Sequence, residues 1–268
     1  MPFRLLVALL AAAGLLALPR AGGAQDMLRY VDLDSPEMAS AEMTRAEVEA
    51  LLRAAAPGSP AALEGKRLSR LDLSGLDLSG ADLHLSRLNR TLLKGTRLDR
   101  ANLNQAWTVE ADLTGASLAK ASLFSTQMQR AKLDGADLRG ARIAGDLSGA
   151  SLVGARLSEA DFSADMRNQS MGLMRGVLIS ADLRNADLSG ANLSRANFEF
   201  AKLQSANLTD CNLTHADLAG ADLSHAILAG ADFTDADLQS AILPDDAALA
   251  QARNLDKAWN LSLARRAQ

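Results

Sequence analysis

The amino-acid sequence predicts an all-β solenoid in which short extended segments wind into four-sided coils. A large apolar residue recurs at every fifth position through most of residues 66–243, and a small residue, most often Ala, stands two positions before it. Asp or Asn most often lies between the two, as in "ADLSGANLSRANF" (186–198). A helix does not explain this period, because each step of five residues turns about 140° beyond a full turn and scatters the apolar side chains.

Each pentapeptide is predicted to form one side of a coil. In an extended segment, residues two apart point the same way, so the small residue and the Leu face inward while the Asp or Asn faces outward. The next two residues are rich in Ser, Gly, Arg and Thr, which suit a corner. Gly75, Gly95, Gly115 and Gly135 recur every twenty residues, which favours four sides per coil with Gly relieving a tight turn.

These repeats resemble the pentapeptide-repeat family, whose motif is A-[D/N]-L-x-x. The motif is repeated in "ADLAGADLSHAILAGADFTDADL" (216–238), and the resemblance covers residues 66–243, about two-thirds of the chain. It implies a right-handed four-sided β-helix of about nine coils. At ~4.8 Å per stacked strand, such a rod is about 40–45 Å long.

The first 24 residues are typical of a secretory signal peptide. Arg4 precedes an apolar run over 5–18, and "AGGA" (21–24) supplies small residues for cleavage between Ala24 and Gln25. A membrane anchor is the alternative, but the run is shorter than the ~20 residues that a spanning helix needs. We therefore expect a periplasmic or secreted bacterial protein with no membrane span after cleavage.

Both flanks of the repeats are predicted to cap the open ends of the coil. In the N-terminal flank (25–65), Thr44 and Glu47 form a T-x-x-E capping box that begins a helix, and Pro57 ends it. In the C-terminal flank (244–268), "DDAALAQARNLDKAW" predicts a second helix with Trp259 near its end. The alternative is that one of these helices joins two copies in a homodimer.

Two irregularities interrupt the repeat, at 144–147 and at 163–177. Ile143 and Leu147 are four residues apart, whereas Phe162 and Leu183 are 21 apart, which is four repeats plus one residue. One interpretation of the second break, "SADMRNQSMGLM" (163–174), is a bulge or bend around one inserted residue. The other is a loop that carries the specific partner contact through Arg167, Asn168, Gln169 and Met171.

The sequence indicates no catalytic residue, no metal site and no cofactor. The Asp residues occupy one repeat position on all sides, where they can hydrogen-bond the turning backbone. His84 lies far along the rod from His215 and His225, so no set of three converging ligands is indicated. Cys211 replaces the inward Ala and is predicted to be a buried packing thiol.

Charge is distributed unevenly along the repeats. Residues 66–143 contain 13 basic and 8 acidic residues, whereas 144–243 contain 6 and 13. Without the signal peptide the chain has 26 basic and 32 acidic residues, which argues against nucleic-acid binding. We expect Arg70, Arg90 and Arg130 to share a column that Glu110 interrupts. The charges form either a solvated face or a docking surface.

Large side chains at outward positions are the remaining candidates for partner contacts. Trp107 stands where Asp or Asn is usual, and His84, Asn104 and Phe124 are spaced to stack on one corner. We therefore expect an exported, non-catalytic scaffold that binds a protein partner of unknown identity. The alternative, which the family resemblance implies, is a DNA-mimicking inhibitor or protector of a type II topoisomerase. The signal peptide and the basic N-terminal half oppose that alternative.

Overall fold

The computed structural model describes residues 28–55, 60–166 and 174–267. The predicted signal peptide (1–24) lies outside these ranges. None of the helices in the described part of the chain is both long enough and apolar enough to cross a membrane.

The repeats wind into a coil whose successive turns are joined by parallel bridges between residues twenty apart. Arg67 bridges Arg87, for example, and Arg87 bridges Trp107. We name the four sides by the residues they stack. Side A contains 62, 82, 102, 122, 142, 161, 192, 212, 232 and 253; side B contains 67, 87, 107, 127, 146, 177, 197, 217, 237 and 259; side C contains 72, 92, 112, 132, 151, 182, 202, 222, 242 and 265; side D contains 77, 97, 117, 137, 156, 187, 207 and 227. The corner that follows each side takes the same letter.

The interior of the coil is a continuous column of Leu and Ala. The Leu of each pentapeptide and most of the Ala residues two positions before it are fully buried. Phe162 and Phe198 replace Leu on neighbouring sides, and their ring centroids lie 6.5 Å apart. Where Thr replaces the small Ala, as in Thr91, its hydroxyl donates to a carbonyl of the preceding coil, here Leu68 O at 2.9 Å. The hydroxyl is therefore satisfied in an apolar core.

The corners turn because their second residue adopts the left-handed backbone conformation. Gly75 (φ +72°) does so, but so do Arg70 (φ +62°) and Glu110 (φ +58°), so Gly is favoured there without being required. The outward Asp or Asn of each side accepts a hydrogen bond from the backbone N–H two residues later, as Asp72 Oδ1 does from Ser74 N at 2.9 Å. This is the turn-stabilising role that the sequence predicts for these side chains.

The first irregularity is a coil that is one residue short. Bridges across it join residues 19 apart, such as Gln127 and Asp146. Gly145 lies at this short corner, where a Cβ atom would come within 2.6 Å of Thr126 O in the preceding coil. Only Gly allows the two backbones to approach this closely.

The second irregularity corrects the prediction of a single inserted residue. Asp146 bridges Val177, 31 residues later, so eleven residues are added between Phe162 on side A and Leu178 on side B. The prediction was wrong because spacing alone does not tell which apolar residue resumes the coil. Gly176 N donates to Phe162 O at 2.9 Å and thereby closes the corner as if the insertion were absent. Asp165 N donates to Met174 O at 2.8 Å at the base of the insertion.

The N-terminal end of the coil is covered by a segment with two helices, α1 (Pro36–Ala39) and α2 (Arg45–Ala54), which follow a 3-10 turn at Leu28–Tyr30. The capping box is present: Glu47 N donates to Thr44 Oγ1 and Thr44 N donates to Glu47 Oε2. Val48 of α2 is fully buried and belongs to the apolar core. Before α2, Ala41 bridges Leu68 in antiparallel orientation and covers the free edge of side B.

The C-terminal end corrects the prediction of a second helix through Trp259. Helix α3 spans only Asp246–Leu249, and the chain then winds as a last partial coil through 3-10 turns at Leu255–Lys257 and Leu261–Leu263. Its residues at 253, 259 and 265 bridge sides A, B and C, and strand β1 (Ile242–Leu243) pairs in parallel with β2 (Arg265–Arg266). Pairing satisfies backbone groups that a helix would leave unpaired at the edge. The signal that we missed is a six-residue repeat, "ARNLDK" and "AWNLSL" (252–263), in which Ala and Leu face the core.

Candidate functional surface

The exterior shows no focused chemical centre in the ranges that the structure describes. Within those ranges, no group of three or more His, Cys, Asp or Glu side chains is placed to hold a metal ion. Most outward Asp residues are occupied with the backbone of their own corner.

Cys211 is a core residue. It is fully buried, and its Sγ donates to Leu188 O at 2.9 Å. Burial raises the pKa of the thiol to about 12, so the group is neutral at physiological pH. The predicted role in packing is consistent with this environment.

The structure brings three of the predicted contact residues to neighbouring coils. His84, Asn104 and Phe124 stack on corner A, as the hydrogen bonds Leu85 N to Asn104 O and Gln105 N to Phe124 O require. Asn104 Oδ1 also accepts from Phe124 N at 2.9 Å. His84 and Phe124 are half-buried, and His84 Nδ1 lies 3.5 Å from Glu64 Oε1.

Trp107 lies on side B, next to this corner. It is half-buried and bridges Gln127, which follows Phe124 by three residues. Leu85, an exposed residue on corner A that the sequence analysis missed, has 45% of its surface accessible. We call His84, Leu85, Trp107 and Phe124 the corner A patch. Three of its four members are apolar, and Asn104 lies between His84 and Phe124 in the column.

Arg167, Asn168, Gln169 and Met171, the candidates in the second irregularity, lie outside the described residues. A buried polar cluster, which the sequence did not predict, lies on side B and corner B near the base of the second irregularity. Gln129 Nε2 donates to Gln127 Oε1 at 2.9 Å and to Asp146 Oδ2 at 2.8 Å. Because Gln and Asp also occupy ordinary exterior positions of the repeat, sequence alone does not single out these three.

The column of arginines on corner B is a ladder of ion pairs. Arg70, Arg90 and Arg130 share the column with Glu110, as predicted. Glu110 lies between two of them: its Oε2 is 2.7 Å from Arg90 Nε, and its Oε1 is 2.8 Å from Arg130 Nη2. The hydrogen bond from Arg90 holds the pKa of the Glu110 carboxyl below its usual range.

The N-terminal segment extends this ladder with its own carboxylates, which the sequence analysis missed. Asp34 contacts both Arg70 (3.1 Å) and Arg90, and its pKa is lowered chiefly by the hydrogen bond from Arg90. Glu37 Oε1 lies 2.6 Å from Arg87 Nη2. An acidic segment of the chain therefore occupies the basic side B and corner B of the first coils. Nothing in the local sequence indicates this pairing, because the partners are 36 to 56 residues apart.

Comparison with known proteins identifies the class of protein. The family described as Pentapeptide repeats matches in eight copies over residues 67–105, 109–142, 146–164, 177–210 and 206–243. The chain therefore belongs to the pentapeptide-repeat family. Three stretches between matched segments coincide with features described above: 106–108 contains Trp107, 143–145 is the short corner, and 165–176 is the insertion.

Two solved structures of the family resemble the chain. HetL, a pentapeptide-repeat protein involved in heterocyst differentiation regulation in the cyanobacterium Nostoc sp. strain PCC 7120, is 31% identical with a TM-score of 0.49, and the match covers 84% of this chain and 95% of HetL. QnrB1, a plasmid-mediated fluoroquinolone resistance protein, is 17% identical with a TM-score of 0.53, over 75% of this chain and 94% of QnrB1. Such proteins form right-handed quadrilateral β-helices. No curated protein sequence matches the chain.

Proposed function

We propose that this chain is an exported, non-catalytic scaffold of the bacterial periplasm or cell envelope that binds another protein along the rod. The observation that carries the proposal is the corner A patch, where apolar side chains from adjacent coils replace the usual polar ones. A rigid solenoid supports such a role, because side chains on successive coils are held at a fixed spacing and need no ordering on binding.

The position of Trp107 strengthens the assignment to this patch. Trp and other aromatic residues are enriched where interfaces gain most of their free energy. Trp107 lies where the family pattern is interrupted, and the neighbouring inward residue, Thr108, is polar although fully buried. The repeat thus departs from its consensus on both faces at this place.

The export part of the proposal rests on residues 1–24, whose composition is that of a signal peptide. Fractionation of the native host with N-terminal sequencing tests it. We expect a periplasmic chain that begins near Gln25. An uncleaved chain in the cytosol would overturn the proposed location.

The binding part is tested by site-specific photo-cross-linking in the host. A photoreactive residue at position 107 should capture a discrete partner, whereas the same residue at position 132, an exposed position on side C, is the matched control. Loss of the adduct in a Phe124→Ser variant is expected. Equal adducts from positions 107 and 132 would contradict binding through the corner A patch.

A second candidate is inhibition or protection of a type II topoisomerase by DNA mimicry. The stretch 203–252 favours it, because it contains eight Asp and no Lys or Arg. A DNA mimic needs one long negative face, and the ion-paired basic residues before residue 143 argue against such a face. Inhibition of supercoiling by the purified chain would support this candidate over the scaffold.

A further inference from the structure

A basic groove lies on side D and corner D of the first coils, away from the corner A patch. It has a volume of about 700 Å³ and is lined by Arg97, Arg100 and Lys120, with Pro60 and Ser79 at its N-terminal end. Its one carboxylate, Asp99, accepts hydrogen bonds from Ser117 Oγ and from Ala119 N (3.0 Å), so it forms part of the wall. Of the three cations in the groove, Arg97 already pairs with Asp77.

Two of these cations have no carboxylate partner within residues 28–55, 60–166 and 174–267. Between residues 60 and 143, every Lys and Arg pairs with a carboxylate except Arg100, Lys120 and Lys132, as far as the described residues show. Arg100 and Lys120 occupy the same position of corner D in successive coils, and both line this groove. They are therefore about 4.8 Å apart along the rod. Lys132, the third of these cations, lies on side C and does not line the groove.

The chain itself shows what fits such a pair. On corner B, Arg70 and Arg90 have this same relation, one coil apart at the second corner position, and Asp34 lies against both. The next acidic residue of that segment, Glu37, pairs with Arg87 on the adjoining side. Arg97 stands three residues before Arg100, as Arg87 stands three residues before Arg90, but Arg97 already pairs with Asp77 on its own side. Corner D thus repeats the arrangement of corner B, but no segment of the described chain lies on it.

We propose that this groove binds an acidic peptide segment of the partner protein, with one carboxylate between Arg100 and Lys120. The inference rests on the proposed protein-binding function and adds the chemistry of the partner. The corner A patch would supply apolar contact and the groove would select partners by charge, since rim charges contribute chiefly to specificity and association rate.

The test uses the full mature chain and a fluorescein-labelled decapeptide of alternating Asp and Ser. The double variant Arg100→Glu/Lys120→Glu should weaken the binding measured by fluorescence anisotropy at least tenfold. Glu110 and Glu159 already occupy the same corner position, so Glu is compatible with its backbone. The matched control is Lys132→Glu/Lys202→Glu, two exposed side C cations whose reversal changes the net charge equally and should leave binding within twofold.

Three outcomes would overturn the proposal. Equal weakening in both double variants would indicate general attraction to the rod, and absence of peptide binding at 50 mM salt would remove the site. Groove-dependent binding of phosphatidylglycerol vesicles in preference to the peptide would assign the groove to a membrane surface. None of these outcomes affects cross-linking at position 107, so failure of the groove and failure of the proposed scaffold function are distinguishable.

Discussion

The coils before the insertion (60–143) and those after it (177–243) share a backbone and a core but differ on the outside. Both have the twenty-residue ladder, left-handed corners and buried Leu columns. In the first region, cations and carboxylates pair between coils, as in Arg97 with Asp77 and Arg90 with Glu110. In the second region, amides replace many charges, as where Asn207 Nδ2 donates to Asp187 Oδ1 at 3.0 Å.

The fold therefore depends on the inward residues and leaves the outward ones free to vary. A coil tolerates either an ion pair or an amide ladder because the exterior positions are supported by the same backbone bonds. Function therefore resides in outward side chains. The following five predictions test whether the two regions have equivalent cores and different exteriors.

The largest effect is expected from truncating the core in either region. Leu103→Ala and Leu208→Ala should each lower the free energy of unfolding by about 2–5 kcal/mol, because both side chains are fully buried. The ladder continues across the insertion through Asp146 and Val177, so both variants should unfold in a single transition.

Urea unfolding followed by the fluorescence of one tryptophan at a time provides the measurement. Trp107 reports on the first region in a Trp259→Phe background, and Trp259 reports on the end of the rod in a Trp107→Phe background. If Leu103→Ala shifted only the Trp107 transition, the two regions would be independent units, as uncoupled repeats are.

The short corner between the regions should be sensitive to a single methyl group. Gly145→Ala is expected to cost about 1–3 kcal/mol, because its Cβ would press on Thr126 O of the preceding coil. Gly154→Ala is the control: its Cβ meets open space, and only its left-handed backbone (φ +64°) opposes the change, at about 1 kcal/mol. Thermal unfolding of the two variants measures both losses of stability. An equal loss in Gly145→Ala and Gly154→Ala would contradict the close approach of the Gly145 and Thr126 backbones.

Asp137 and Asp187 occupy the same position on side D, one in each region. Asp137 is almost fully buried, and its Oδ2 lies 2.7 Å from Arg139 Nη2 and 2.9 Å from Arg156 Nη2. Among the described residues, Asp187 accepts hydrogen bonds only from Ser189 N and Asn207 Nδ2. Asp137→Asn should therefore cost about 1 kcal/mol, and Asp187→Asn should cost less than about 0.5 kcal/mol.

The same pair predicts a pH dependence. The hydrogen bond from Arg139 holds the pKa of Asp137 below its usual range. A depressed pKa in the folded state contributes stability above the unfolded pKa, and this contribution is lost as the pH falls through the folded value. The free energy of unfolding should thus decline below about pH 4, and less steeply in Asp137→Asn than in the native chain. Parallel pH profiles would show that the arginines do not stabilise the ionised carboxylate.

The smallest effect is expected from the ion-pair ladder on corner B. Glu110→Gln should cost about 0.5–1 kcal/mol, since these charges are partly exposed and screened by salt. Glu159→Gln, at the equivalent second position of corner D, should change stability by less than about 0.3 kcal/mol. Chemical denaturation at 20 mM and 500 mM salt measures the difference, which should shrink at the higher salt. If the difference between the two variants were the same at 20 mM and 500 mM salt, the Glu110 side chain would stabilise the fold by packing and not by its charge.

The repeat made most of the fold predictable. Period, alternation and the capping box depend on neighbours within a few residues, so Leu103 could be assigned to the core and Thr44 to a helix start from local sequence. The C-terminal winding was also encoded locally, in the six-residue repeat around Ala258, but a changed period is harder to recognise than a sustained one. The insertion was misjudged because several apolar residues between Phe162 and Leu183 could resume the coil.

The sequence by itself determined what faces inward and what faces outward, because in an extended chain that choice follows from residue parity and a fixed period. It also placed His84 and Phe124 on one corner and the arginines in one column. Only the tertiary structure decided which exterior charges are paired. Asp34 reaches Arg70 and Arg90 because the N-terminal segment folds back over side B, whereas Arg100 and Lys120 have no such partner in the part of the chain that the structure describes. Contacts between residues dozens of positions apart depend on where the chain travels, and no local pattern records that path.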